Sequence, residues 1–229
     1  MSAPVLFVAA DPREFAGWVS RWTDVRKMQL PVHWARAGKW RGREMIAIAN
    51  GAGWERAAAA VRAAERPSAV YNIGFCGALT ATLGIGDVFV ATDVLSGGSR
   101  YPVGTPARSE GCSGTLISVA RIAQTAAEKK KLSQTGAMVV EMEAAGVARA
   151  SEELGVPFYC VRAVSDLFLE DFANDFNEFL MFDGRFDVLR LIIGAFHSPV
   201  ARFGELIRLS RRTALASKNL GEFLADCSY

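Results

Sequence analysis

The feature that most constrains this chain is a repeated alternation of short apolar runs with helix-patterned segments. The runs are "PVLFVAA" (Pro4 to Ala10), "EMIAIAN" (Glu44 to Asn50), "AVYNIG" (Ala69 to Gly74), "DVFVATDVL" (Asp87 to Leu95), "AMVVEM" (Ala137 to Met142) and "PFYCVRAVS" (Pro157 to Ser165). Each has the length and apolar character of a buried strand. Between several of them stand helix patterns: "GWERAAAAVRAAE", "SVARIAQTAAEKKKL" and "EAAGVARASEELG", the last stopped by Gly155 and Pro157. This order predicts an α/β fold on a largely parallel or mixed sheet. A chain of 229 residues accommodates it as one domain, 1–229, whose C-terminal third (167–229) reads as helical.

Several classes of function are excluded early. A net charge of +2 makes no electrostatic case for nucleic acid. The opening "MSAPVLFVAADPRE" lacks a basic start and reads as a buried strand, not a signal peptide. The apolar runs are all shorter than the roughly 18 residues that span a bilayer. Cys76, Cys112, Cys160 and Cys227 are far apart and read as buried, reduced thiols of a cytoplasmic protein. His33 and His197 are isolated, so neither a metal site nor a histidine-centred triad is expected. No cofactor is implied, and chemistry falls to carboxylates.

The last third carries Phe168, Phe172, Phe176, Phe179, Phe182 and Phe186 at spacings of three and four, interleaved with acidic residues. That pattern predicts one helix with an aromatic stripe, packed on the core or in a subunit interface; a pocket wall is the minority reading. The basic segment "ARFGELIRLSRRTALASKNLGEFL" predicts a packed terminal helix, with a membrane-surface helix as the lesser alternative. Lys129 to Lys131 read as a solvated helix face.

In open α/β sheets the ligand crevice lies outside the carboxyl ends of the strands. There the chain places "ADPREF" with Asp11, Arg13 and Glu14, then "NGAGWERAA", "NIGFCGAL", the pair Glu141 and Glu143, and finally Ser165 and Asp166. Carboxylates and glycines without histidine or metal suit chemistry on a sugar. Glycosidic cleavage uses one carboxylic acid for the leaving group and one carboxylate to direct water. A further carboxylate can hold ribose hydroxyls. Of the pair, Glu141 is expected to tie the strand to the helix.

The ordered set "NGAG…RAA", "NIGFCGAL…LGIGDVFV", "VVEMEAAGVA…GVPFYCVRAVSD" resembles the purine nucleoside phosphorylase and nucleosidase superfamily. More narrowly it resembles methylthioadenosine/S-adenosylhomocysteine nucleosidases and the hopanoid-associated phosphorylases. The resemblance runs from about residue 4 to residue 166; the C-terminal third fits the nucleosidases poorly and looks more like the hopanoid-associated branch. It implies a three-layer α/β/α sandwich around a mixed, partly barrel-like sheet, and a homo-oligomer. It implies that Glu143 and Met142 hold the ribose, that Asp166 supported by Ser165 protonates the purine at N7, and that Glu14 activates water. Leu116 and Ile117 of "GTLIS" would face the base. Gly51, Gly53, Gly74 and Gly77 would let backbone approach the nucleophile side of the sugar.

Two departures from the resemblance matter. Phosphorylases of the family have phosphate-binding arginines where this chain has Glu14 and Asn72, and a carboxylate there repels phosphate. Water is therefore the preferred acceptor; Arg13, Arg100 and Arg108 keep phosphate open as the alternative. Phe75 replaces a serine of the nucleosidases and makes that wall bulkier. The expected substrate is a purine nucleoside, an adenosine with a bulky or apolar 5′ substituent; an adenosyl-lipid, as in the hopanoid-associated branch, is the extreme case. A nucleoside-binding homologue without turnover is the rival from another class.

Overall fold

The computed structural model describes residues 3–107, 111–195 and 199–229; Arg108 and His197 lie outside the described residues. The strands are β1 Val5–Ala9, β2 Thr23–Lys27, β3 Trp34–Trp40, β4 Arg43–Ala49, β5 Ala69–Ala78, β6 Val88–Ser96, β7 Ser99–Pro102, β8 Cys112–Ser118, β9 Val139–Glu141 and β10 Phe158–Asp166. The helices are α1 Ala16–Val19, α2 Trp54–Ala63, α3 Ala126–Ser133, α4 Ala144–Leu154, α5 Val188–Ala195 and α6 Pro199–Asp226.

β5 organises the sheet because different parts of it serve different neighbours. Its first half pairs in parallel with β1 and its last residues pair antiparallel with β9. Along its other edge runs β10, parallel from Phe158 opposite Val70 to Asp166 opposite Gly77. The order β5, β10, β6, β8, β9 and back to β5 closes a barrel, while β1, β4, β3 and β2 continue from β5 as an open arm.

The central strands bury both faces because helices cover both. On one side α2 and α4 pack over Val8, Ile48 and Val70. Gly146 of α4 meets the backbone of Trp54 so closely that any Cβ would overlap its carbonyl group. On the other side Phe7, Trp18 and Tyr71 pack with Leu220 and Leu224 of α6. The result is the expected mixed, partly barrel-like sheet between two helical layers. α6 packs as foreseen, and among the described residues no helix is long and apolar enough to cross a membrane.

The structure corrects several expectations. β2, β3, β7 and β8 were not foreseen; β2, "TDVRK", is exposed at every position and so lacks the apolar signature of a buried strand. The helix expected from Ser118 starts only at Ala126. Thr125 caps it by accepting the N–H of Glu128 at 3.1 Å, and Glu128 returns the bond to Thr125 N–H at 3.2 Å. Within it Lys129 is fully buried, whereas Lys130 and Lys131 are exposed. Cys112 is exposed, unlike the other three thiols.

The aromatic stripe is not a helix. Residues 167–187 form a strap of turns, because Asp and Asn side chains there satisfy backbone groups directly. Asp175 accepts the N–H of Asn177 at 3.0 Å, Asp183 accepts that of Arg185 at 3.1 Å, and Asn177 bonds both backbone groups of Ile122.

Candidate functional site

At the carboxyl ends of β1, β5 and β10 lies a cavity of about 730 Å³. Glu14, Phe75, Met142, Glu143, Ser165 and Asp166 all line it. Phe172, Phe176 and Phe186 form an apolar wall, joined by Leu191 of α5 and Leu206 of α6. Half of the stripe thus follows the minority reading of a pocket wall, while Phe168 packs against the core and Phe182 is exposed.

Glu14 is placed by a tight turn. β1 ends at Ala9, and Asp11 then opens a single 3₁₀ turn, Pro12–Phe15, by accepting the N–H of Arg13 at 2.8 Å. Glu14 folds back and accepts the N–H groups of Ala10 at 2.8 Å, Asp11 at 2.9 Å and Phe75 at 2.8 Å. Gly74 makes room: at φ +146°, a Cβ there would run into the Glu14 carboxylate and within 2.6 Å of Arg162 Nη1. α6 braces the turn from behind, since Ser217 Oγ donates to the Arg13 carbonyl at 2.9 Å and accepts from Gly17 N–H at 3.1 Å.

Glu141 and Glu143 divide their work at the junction of β9 and α4. Glu141 accepts the N–H groups of Glu143 at 2.8 Å and Ala144 at 2.9 Å, satisfying donors that the helix start leaves unpaired. Glu143 turns toward the cavity and accepts the N–H of Gly53 at 3.1 Å. The two side chains nevertheless converge on one cation, Arg162, in the middle of β10. Arg162 is fully buried, ion-paired to Glu141, hydrogen-bonded to Asn72, and 3.6 Å from Glu143. Sequence reasoning passed over it, although a lone arginine inside "FYCVRAV" was a legible signal of a buried charge.

One guanidinium thus serves three buried carboxylates. Burial raises the pKa of Glu14, opposed by Arg162 and by the N–H groups that the carboxylate accepts. Burial and the adjacent Glu141 push Glu143 up to about 8, with Arg162 again opposing. Burial thus makes both carboxylates stronger bases than they would be in water.

Asp166 closes the set. The pairing of β10 with β5 slips between Val164 and Asp166, a bulge that redirects the strand end. Asp166 Oδ1 lies 2.9 Å from Ser165 Oγ, and Oδ2 lies 2.6 Å from Lys129 Nζ. Lys129 was also missed.

Other expected positions fall elsewhere. Leu116 is fully buried in the core, and Ile117 packs beside Leu79 and Val140; Val119, Ile122 and Ala123 line the cavity instead. Gly51 and Gly53 stand behind the lining, where Ala52 reaches the surface of the cavity, and Gly77 lines it next to Asp166. Arg13 is exposed at the cavity rim and held by Asp11 at 2.8 Å, whereas Arg100, held by Asp93 at 2.9 Å, is not part of the lining. Among the described residues no His, Cys, Asp or Glu cluster is placed to hold a metal ion.

Comparison with known proteins gives a family match and close folds. The model of the phosphorylase superfamily matches residues 5–120 and 112–185. A 5′-methylthioadenosine/S-adenosylhomocysteine nucleosidase of Geobacillus sp. (strain WCH70) is 27% identical over 180 residues, 62% of this chain and 76% of that protein. The Staphylococcus epidermidis enzyme of the same name is 30% identical over 144 residues, so this chain matches 63% of its length. Among solved structures, a Helicobacter pylori nucleosidase mutant with 5′-methylthioadenosine in its active site superposes with a TM-score of 0.73 at 16% identity, covering 98% of this chain and 97% of that one. A Neisseria meningitidis nucleosidase with methylthio-immucillin-A gives 0.71 at 20% identity, with 98% and 97% covered. A futalosine hydrolase mutant of Helicobacter pylori gives 0.72 at 16%, with 97% of each chain covered.

Proposed function

The chain belongs to the phosphorylase superfamily, and on that footing we propose that it hydrolyses the N-glycosidic bond of a 5′-substituted adenosine and releases adenine. The observation that carries this reading is the convergence of Glu14, Glu143 and Asp166 on one cavity. Glu143, with Met142, holds the ribose hydroxyls. Glu14 takes a proton from water as it attacks the anomeric carbon, and burial makes its carboxylate a stronger base than it would be in water. Asp166, braced by Ser165, delivers a proton to the purine as the bond opens, which spares the leaving group a full negative charge.

The acceptor follows from charge. Arg162 is fully buried, ion-paired to Glu141 and 3.6 Å from Glu143, so it is not free to bind a phosphate dianion. Arg13 and Arg100 are held by Asp11 and Asp93. Water has no such obstacle. Beyond the sugar the wall of Phe172, Phe176 and Phe186 favours an apolar 5′ substituent over a charged one.

The test is incubation with methylthioadenosine, adenosine and inosine, with and without phosphate, followed by product analysis. Adenine and free sugar at equal rates with and without phosphate support the reading. A sugar 1-phosphate as sole sugar product refutes hydrolysis, and binding without turnover on every nucleoside refutes the enzyme.

A further inference from the structure

Asp166 Oδ2 lies 2.6 Å from Lys129 Nζ, and Oδ1 lies 2.9 Å from Ser165 Oγ, which also reaches the Cys76 carbonyl at 3.2 Å. A departing purine needs a proton, and the groups around Asp166 decide where it comes from. Lys129 is fully buried, while its neighbours Lys130 and Lys131 face solvent. Its ammonium also donates to the carbonyl of Leu167 at 2.7 Å, stands 3.5 Å from that of Glu170, and lies 5.1 Å from the ring centroid of Phe172 on the cavity wall. Carbonyls and a ring steady the charge but take no proton. Of the groups around Nζ, the Asp166 carboxylate is the one that can. Away from water an ion pair and its neutral form lie much closer in energy than in water, since burial penalises both charges.

We infer that Lys129 is the positioning residue that supplies, through Asp166, the proton taken by the departing purine. This rests on the nucleosidase reading above. As the bond from the sugar to purine N9 breaks, its electron pair enters the ring. Lys129 N–H breaks as an Asp166 O–H forms, and that O–H breaks as N7–H forms, which leaves Asp166 a carboxylate again. Water adds to the anomeric carbon and yields its proton to Glu14. Lys129, left as an amine, is reprotonated from solvent after adenine leaves.

The experiment compares wild type, Lys129→Met and Lys129→Arg on methylthioadenosine and on para-nitrophenyl ribofuranoside, whose nitrophenolate departs without a proton. Adenine release is expected to fall on the order of a hundredfold in both variants, with the deficit widening from about pH 6 to about pH 8. Nitrophenolate release should stay within about threefold of wild type. The arginine variant is decisive because a guanidinium keeps the charge and the hydrogen bonds but does not give up a proton. Near-wild-type adenine release by that variant, a deficit independent of pH, or equal loss on both substrates would overturn the inference. A wild-type protein that releases adenine from no nucleoside would remove the proposed function itself and this step with it.

Discussion

Arg162 and Glu141 form an ion pair sealed from solvent, with their side chains 0% and 2% exposed, and the same guanidinium stands 3.6 Å from Glu143. Breaking a buried pair by removing one partner strands the remaining charge, which is worse than never having built the pair. Arg162→Met leaves Glu14, Glu141 and Glu143 facing one another without a cation. It is expected to destabilise the fold by about 3–5 kcal/mol in a urea titration.

The same cluster sets a pH dependence of stability. A carboxyl whose folded pKa is raised holds its proton more tightly in the native state. Its contribution is therefore complete below the unfolded value and is lost as pH rises through the folded one. For Glu143 that window runs from the ordinary value of 4.5 up to about 8. The wild-type urea midpoint is expected to fall across this range relative to Glu143→Gln, which cannot titrate there. A difference between the two proteins that does not change with pH would contradict the raised Glu143.

Glu14→Gln keeps an oxygen for the surrounding N–H groups but cannot accept a proton from water. The turnover rate is expected to drop on the order of a hundredfold or more, while affinity for adenine, read by calorimetry, stays near that of wild type. Loss of adenine binding in parallel would place Glu14 in the scaffold instead of the chemistry.

Phe176 makes edge contacts with Phe172 at 5.2 Å and with Phe186 at 6.2 Å, so shortening it opens the apolar end of the cavity. Phe176→Ala should lower kcat/KM for a butylthio-adenosine by about tenfold or more, the scale on which apolar pockets discriminate. Adenosine, with a bare hydroxyl at that position, should change little.

The sheet was legible wherever both faces of a strand are buried, as in "PVLFVAA" and "EMIAIAN", because continuous apolar runs of that length have few other uses. It was illegible at the exposed edge strand β2, whose sequence resembles a loop. The carboxylates of the cavity could be found because each ends a strand run. Lys129 could not: three consecutive lysines differ only in which way the helix turns them, and tertiary packing alone chose the buried one. The spacing of the phenylalanines suggested a helix, but the intervening Asp and Asn residues offered the backbone local partners and the chain took those instead.

Three acidic side chains act on one nucleoside, with water as acceptor. The most direct test is turnover of methylthioadenosine in isotopically labelled water containing phosphate, with mass analysis of the sugar product. The account predicts free sugar carrying the solvent oxygen at the anomeric carbon, released together with adenine. Unlabelled sugar 1-phosphate, or intact nucleoside after prolonged incubation, would contradict it.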